Sequence, residues 1–153
     1  MKIVKLQKSR KNSINKECSA SNNKDYNYNV AMKCFSVLSP LVKKGEAVGL
    51  ACNQIGITNA RIFLAVINNK IRYFINPVIT KKIGNDVILK ESCLSINKKS
   101  FNVSRNTNIS LEYINIDTPK AIQFETFYDN NARIIQHEMD HLNGITISDR
   151  SIK

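Results

Sequence analysis

The sequence predicts an α+β protein in which antiparallel sheets pack around a central helix carrying an H-E-x-x-H segment. Two segments show helical spacing. Val30, Cys34, Val37 and Leu41 recur within residues 29–44, and Ala132, Ile135, Met139 and Leu142 recur near the end of the chain. Between them lie runs rich in Ile, Val and Phe, separated by turns of Asn, Lys or Gly. The order is helix, several strands, helix, with no internal repeat. A chain of 153 residues reads as one domain, 1–153, long enough to bury a core without staples.

In chain order, the alternation of Ile3, Val4, Lys5 and Leu6 predicts a short first strand, and polar residues 8–27 predict a loop or poorly ordered stretch. A helix is expected over Asn29 to Lys44, with a kink or a new turn at Ser39 because of Pro40, and Gly45 ends it. Ala47 to Gly56 is a run of small residues closed by Gln54, which suits close approach of backbone to a ligand or, equally, a tight buried loop. Strands are expected at Arg61–Ile67, Ile71–Asn76 and Ile83–Lys90, with a hairpin turn at Asn68-Asn69. Two more follow at Asn108–Ile114 and Ala121–Phe127, across a turn at Asp117-Thr118-Pro119. Asp129 is the expected N-cap of the last helix, and Gly144 its left-handed stop.

That last helix carries Gln136-His137-Glu138-Met139-Asp140-His141. Its two histidines, the only ones in the chain, are four residues apart and share a helix face, so they can bind one metal ion. Glu138 sits where a general base for an activated water belongs. A catalytic metal site usually has three protein ligands. The third must come from four cysteines or ten acids outside the helix. Cys93 stands out at a strand end, between Glu91 and short polar residues. Cys18 lies in the loop, Cys34 faces the core stripe and Cys52 lies among small residues.

Composition narrows the classes. Hydrophobic content of 42% and charge of 23% describe a soluble globular protein, and no run approaches a membrane span. Met1 to Leu6 is basic but no apolar region follows, so a secretory signal is not expected. The acid-poor start also admits an organellar transit peptide, although the strand reading accounts for it better, and a cytoplasmic location is expected. The four cysteines show no C-x-x-C, which fits a reducing compartment rather than a disulfide framework. The net charge of +11 is concentrated in residues 1–44, where ten Lys/Arg face two acids. Such a face attracts RNA, ribosomes or acidic membranes through a screened, non-specific field, although a solubilising surface accounts for it better.

Three motifs in fixed order identify the chain as similar to the peptide deformylase family. Family members carry G-x-G-L-A-A-x-Q, E-G-C-L-S and Q-H-E-x-D-H; this chain has A-V-G-L-A-C-N-Q, E-S-C-L-S and Q-H-E-M-D-H. Val103-Ser104-Arg105 resembles the family's substrate-side Val-x-Arg. The resemblance covers roughly residues 45–144. It implies a hydrolase that removes the N-formyl group from the initiator methionine of nascent chains. Cys93, His137 and His141 would bind the metal, with Glu138 as general base. The Gln54 side-chain amide and the Leu94 N–H would stabilise the oxyanion. Backbone at Val48 and Gly49 would pair with the substrate peptide, and Glu91 and Arg105 would border the substrate and fix the loop around Cys93. The metal implied is ferrous iron, with zinc, nickel or cobalt able to replace it; the ligand set alone would point to zinc.

The chain departs from the motifs at Ala47, Cys52 and Ser92. A left-handed Ser92 would be penalised, so an ordinary β-region conformation is expected there. Only twelve residues follow His141, whereas many bacterial members continue into a C-terminal helix that helps dock on the ribosome. The expectation is a short member, phage-like or divergent, monomeric, with the basic N-terminal half as its ribosome-facing surface. H-E-x-x-H is also common to zinc metallopeptidases, whose third ligand lies downstream, where Asp149 is the one acid. A non-catalytic binder of nascent chains or RNA is a further alternative.

Overall fold

The structure is a computed structural model that describes residues 2–5 and 12–153, with Lys98 described by its backbone alone. Five strands form one antiparallel sheet in sequence order: β1 (Gly49–Ala51), β2 (Ile62–Ile67), β3 (Lys70–Cys93), β4 (Ile96–Ile114) and β5 (Ile122–Tyr128). Three helices accompany it: α1 (Lys24–Lys43) before the sheet, and α2 (Asp129–Leu142) and the short α3 (Ile147–Arg150) after it. The predicted order of helix, antiparallel meander and histidine-bearing helix is the observed one. No helix among the described residues is long and apolar enough to cross a membrane.

The sheet is more continuous than the sequence pattern implies. β3 runs unbroken through the two strands expected at Ile71–Asn76 and Ile83–Lys90, and β4 begins twelve residues before the expected Asn108. Register shifts between Ile75 and Val78, Ile79 and Lys81, and Ile83 and Asp86 show how one strand accommodates this length. Each shift is a bulge that bends the ladder, and Pro77, which has no N–H to give, falls within the first. Residues 81–90 are all exposed, so no buried face marks this part of the ribbon. Backbone pairing with β4 defines it instead. The Asn68-Asn69 hairpin forms as expected, with φ of 50° and 66°, the left-handed pair that a type I′ turn requires.

Other elements differ at their ends. α1 starts five residues before Asn29, because the Asn23 side chain accepts a hydrogen bond from the Tyr26 N–H at 2.9 Å and caps a polar first turn. It continues through Pro40 to Lys43 as one assigned helix, so no separate turn opens at Ser39. Ile3, Val4 and Lys5 form no strand; Leu6, Lys8, Ser9, Arg10 and Lys11 lie outside the described residues. Instead, the Val4 N–H donates to the Gln54 carbonyl at 2.6 Å. The polar stretch after residue 11 contains a 3-10 turn at Ser13–Asn15. Asp129 is not the N-cap of α2. Tyr128 holds that position, and Asp129 begins the helix with a φ of 50° and no capping bond. Gly144 does terminate it, at φ 72°, where a Cβ would lie 2.8 Å from the Asn15 carbonyl.

The core lies between the helices and the inner sheet face. Val30, Cys34 and Leu38 of α1 and Ala132, Ile135, Met139 and Leu142 of α2 share one buried cluster with Phe63 and Phe74. Phe74 is stacked on Phe63 at 4.7 Å and tilted against Tyr113 at 4.8 Å. Arg72 closes the rim of this cluster, its guanidinium 5.4 Å from the Phe74 and Phe127 ring centres. Glu125 pairs with Arg72 and accepts from the Tyr113 hydroxyl at 2.8 Å. The Arg72 hydrogen bond holds the Glu125 carboxyl below its ordinary value despite partial burial. Glu125→Gln should therefore cost roughly 0.5 kcal/mol at neutral pH, the magnitude of a solvent-screened pair. Because only the ionised folded carboxyl gains, the difference should be complete above the unfolded value near ~4.3 and vanish as pH falls through the depressed folded value. Urea unfolding of both proteins at pH 7 and pH 3 checks this, and an equal gap at both would contradict it.

Candidate metal centre

α2 presents His137 and His141 on one face, and the β3–β4 turn brings Cys93 against them. The Cys93 Sγ is 3.3 Å from His141 Nε2, which is 3.1 Å from His137 Nε2. The three donor atoms lie within 4.8 Å of one another. Among the described residues this is the one such group of His, Cys, Asp or Glu. Asp149, the downstream acid a metallopeptidase reading would need, instead accepts from the Thr146 N–H at 2.8 Å and lies outside the group.

The histidines are oriented from behind. His137 Nδ1 is 2.9 Å from Glu91 Oε2, which leaves Nε2 turned towards Cys93. Glu91 is held in turn by Arg105, whose Nε and Nη2 donate at 3.1 and 3.0 Å, and by Arg133 Nη1 at 2.6 Å. Arg105 also donates to Asp140, which receives Arg150 as well, at 2.8 Å. Burial pushes the Glu91 carboxyl up, but His137 and Arg105 outweigh it and hold the group at about 2. Burial likewise opposes a charge on His137, yet hydrogen bonds to Cys93 and Glu91 raise it to about 10. Burial and the neighbouring His137 and Arg105 charges push His141 well down. Of the two imidazoles only His137 is favoured as a cation, and the same Cys93, His137 and His141 donor atoms could instead hold a divalent ion.

Glu138 lies beside this group, 4% exposed, with burial lifting its carboxyl to about 7 against the pull of His137 and Arg105. Its Oε2 and the Nδ1 of His141 are buried and find no hydrogen-bond partner among the described residues. The carboxylate packs on Gly49, where a Cβ would come within 2.5 Å of Oε1. Gln54 reaches the Cys93 side of this group. Its Oε1 accepts from the Ala51 N–H at 2.9 Å, and its Nε2 lies 3.1 Å from Ser95 Oγ and 3.7 Å from Cys93 Sγ.

A cleft of about 530 Å³ opens onto these groups, lined by Val48, Gly49, Gln54, Glu91, Cys93 and Leu94 among others. β1 is the sheet's first strand, paired on one side with β2. The Val48 carbonyl accepts from Val66 N at 2.8 Å, so alternation turns the Gly49 N–H and C=O to the other edge. Arg105 does not line this cleft; it lies behind Glu91, 5% exposed. Ser92 has no positive φ, as expected of a serine in a glycine position. Sequence reasoning gave no role to Arg133, Asp140, Arg150 or Ser95. Arg133 stands one helical turn before His137 and Asp140 lies within the histidine motif, so only their spacing hinted at them.

One thiol and two imidazoles that could hold a metal ion, beside a buried carboxylate in a cleft, are the donor set of a candidate metal site on an α+β scaffold. A family model described as polypeptide deformylase matches residues 1–153. A peptide deformylase of Pseudothermotoga lettingae is 38% identical over 104 residues, 68% of this chain and 58% of that protein. The chain thus spans little more than half the length of this curated relative. A Plasmodium falciparum peptide deformylase in complex with an inhibitor superposes with a TM-score of 0.83 at 27% identity, covering 99% of this chain and 90% of that one. The Thermotoga maritima enzyme gives a TM-score of 0.85 at 26% identity, covering 99% and 97%. The chain belongs to the polypeptide deformylase family, whose members are metal-dependent hydrolases.

Arg105 holds two buried carboxylates from separate elements. Arg105→Leu would remove the one cation shared by Glu91 and Asp140, leaving Glu91 to Arg133 and His137 and Asp140 to Arg150. It is expected to cost about 3 kcal/mol, the low end for breaking a buried pair. Equilibrium unfolding in urea measures this, and a midpoint equal to that of the parent would refute it.

Proposed function

We propose that this chain, as one catalytic domain over residues 1–153, hydrolyses the N-formyl group from the initiator methionine of nascent polypeptides. The observation that carries the reading is the convergence of Cys93 Sγ and the two histidine Nε2 atoms within 4.8 Å, beside a buried Glu138. One thiolate and two imidazoles suit a borderline divalent ion, ferrous iron in this reading, with zinc, nickel or cobalt as substitutes. A divalent ion held there supplies Lewis acidity towards water and the formyl carbonyl.

The chain's own residues do the rest. Glu138, lifted to about 7, can take a proton near neutral pH and return it to the departing amine. Gln54 Nε2 and the Leu94 N–H are the donors for the developing oxyanion, and Gln54 is held by Ala51 and Ser95. The substrate backbone adds to the free edge of β1 at Gly49, with Val48 projecting at the rim. Glu91 and Arg105 act through His137 and the Cys93 loop. The likeness to a peptide deformylase in complex with an inhibitor supports the reading that this fold takes a small-molecule or peptide occupant. In this reading the protein works as a cytoplasmic monomer.

Iron-loaded protein, kept anaerobic, should release formate from a formyl-Met-Ala-Ser peptide, and Cys93→Ala should lose at least 100-fold of that activity. An active Cys93→Ala would remove Cys93 from the site, and an inactive parent would overturn the substrate assignment. Gly49→Ala crowds the Glu138 carboxylate directly. It should reduce formate release at least tenfold while one equivalent of metal remains bound; unchanged turnover would refute the contact.

The ribosome is the partner implied by this substrate, and the +8 excess over residues 1–44 is the candidate docking surface. Charge reversal at Lys24, Lys33, Lys43 and Lys44 should abolish salt-sensitive co-pelleting with ribosomes. Pelleting unchanged by the reversal would dismiss this surface.

A further inference from the structure

All four cysteines are free thiols, but two of them touch. Cys18 and Cys52 are 2% and 0% exposed, and their sulfurs are 3.8 Å apart. A disulfide needs about 2.0 Å, so the pair must close by roughly 1.8 Å. Neither sulfur faces the metal centre. Cys18 Sγ is 3.9 Å from the Ile57 carbonyl, and Cys52 Sγ is 3.2 Å from that of Ala60. Cys93 is engaged with His141 instead, and Cys34 makes no sulfur–sulfur contact among the described residues.

The location gives this contact its meaning. The Cys18 N–H donates to the Leu142 carbonyl at 2.7 Å, and Glu17 bridges Asn143, so this segment rides on the end of α2 just past His141. Cys52 begins the turn Cys52–Ile55 that carries Gln54. A bond between the sulfurs would therefore join the two supports of the site, which are otherwise linked through the Asn53 side chain and the His141 carbonyl.

We propose that Cys18 and Cys52 are a disulfide-forming pair, a modification site that ties the segment before α1 to the Gln54 turn when a peroxide-class two-electron oxidant is present. The Cys52 sulfur attacks one peroxide oxygen, the O–O bond breaks, and hydroxide leaves to collect the thiol proton as water. The Cys18 sulfur then displaces the oxygen of the resulting sulfenic acid, which departs with the second thiol proton as another water. Two thiols and one hydrogen peroxide become one disulfide and two waters. Donation from Cys18 stabilises the Cys52 thiolate and lowers its thiol below the ordinary value, against the effect of burial. Hydrogen peroxide is little larger than water, and the neighbouring Ser19 and Gly56 are exposed.

The test treats zinc-loaded protein, which lacks a redox-active metal, with hydrogen peroxide, then unfolds and alkylates it. Two of the four thiols should be lost, with a mass decrease of two hydrogens. Trypsin should release peptide 17–24 joined to peptide 45–61. Cys52→Ala should keep all its remaining thiols, and Cys18→Ser gives the same readout should that variant not fold. The oxidised protein should melt several degrees higher, and dithiothreitol should reverse the gain. Four alkylatable thiols after treatment, or a linkage through Cys34 or Cys93, would overturn the proposal.

Discussion

The geometry of the metal centre depends on one buried guanidinium. Arg105, on β4, reaches Glu91 on β3 and Asp140 on α2, and so connects the element carrying Cys93 to the one carrying both histidines. Three charges taken out of water are costly, and that cost is tolerable only where every carboxylate oxygen finds a donor. Here it does. Glu91 receives Arg105, Arg133 and His137, and Asp140 receives Arg105 and Arg150. Replacing the network with apolar side chains would pack as well, but would leave His137 free to rotate and either ring nitrogen free to face Cys93. The charges thus act less as a source of stability than as a device that selects one imidazole orientation.

This explains why the three candidate metal ligands were legible in the sequence and their supports were not. Cys93, His137 and His141 sit in short motifs whose order survives inspection of the bare chain. Arg133 and Arg105 act across 42 and 35 residues, on Glu91 and Asp140 respectively, and nothing local announces such pairings. The fold shows the same division. Strands with a buried face, such as β2, were placed within a residue, because burial imposes a pattern on side chains. Residues 81–90 have no buried face, so the long β3–β4 ribbon exists through backbone pairing that any polar sequence could supply. The first turn of α1 was missed because its signal is a single Asn23 cap ahead of polar residues, and Asp129 misled because its favoured left-handed φ looks, in sequence, like a capping preference.

The run of small residues from Gly49 to Cys52 was the most ambiguous stretch in the chain, readable as a ligand-approach segment or as a tight loop. The structure gives residues of this stretch separate tasks. Gly49 leaves room for the Glu138 carboxylate, Ala51 offers its N–H to Gln54, and Cys52 meets Cys18 beneath them. The strand is therefore pressed on its inner face by groups of the site and its support, while its outer backbone edge faces the cleft. A larger residue at Gly49 would displace the carboxylate before it disturbed the core. It follows that the free backbone edge of β1 and the position of the Glu138 carboxylate are set by the same few atoms.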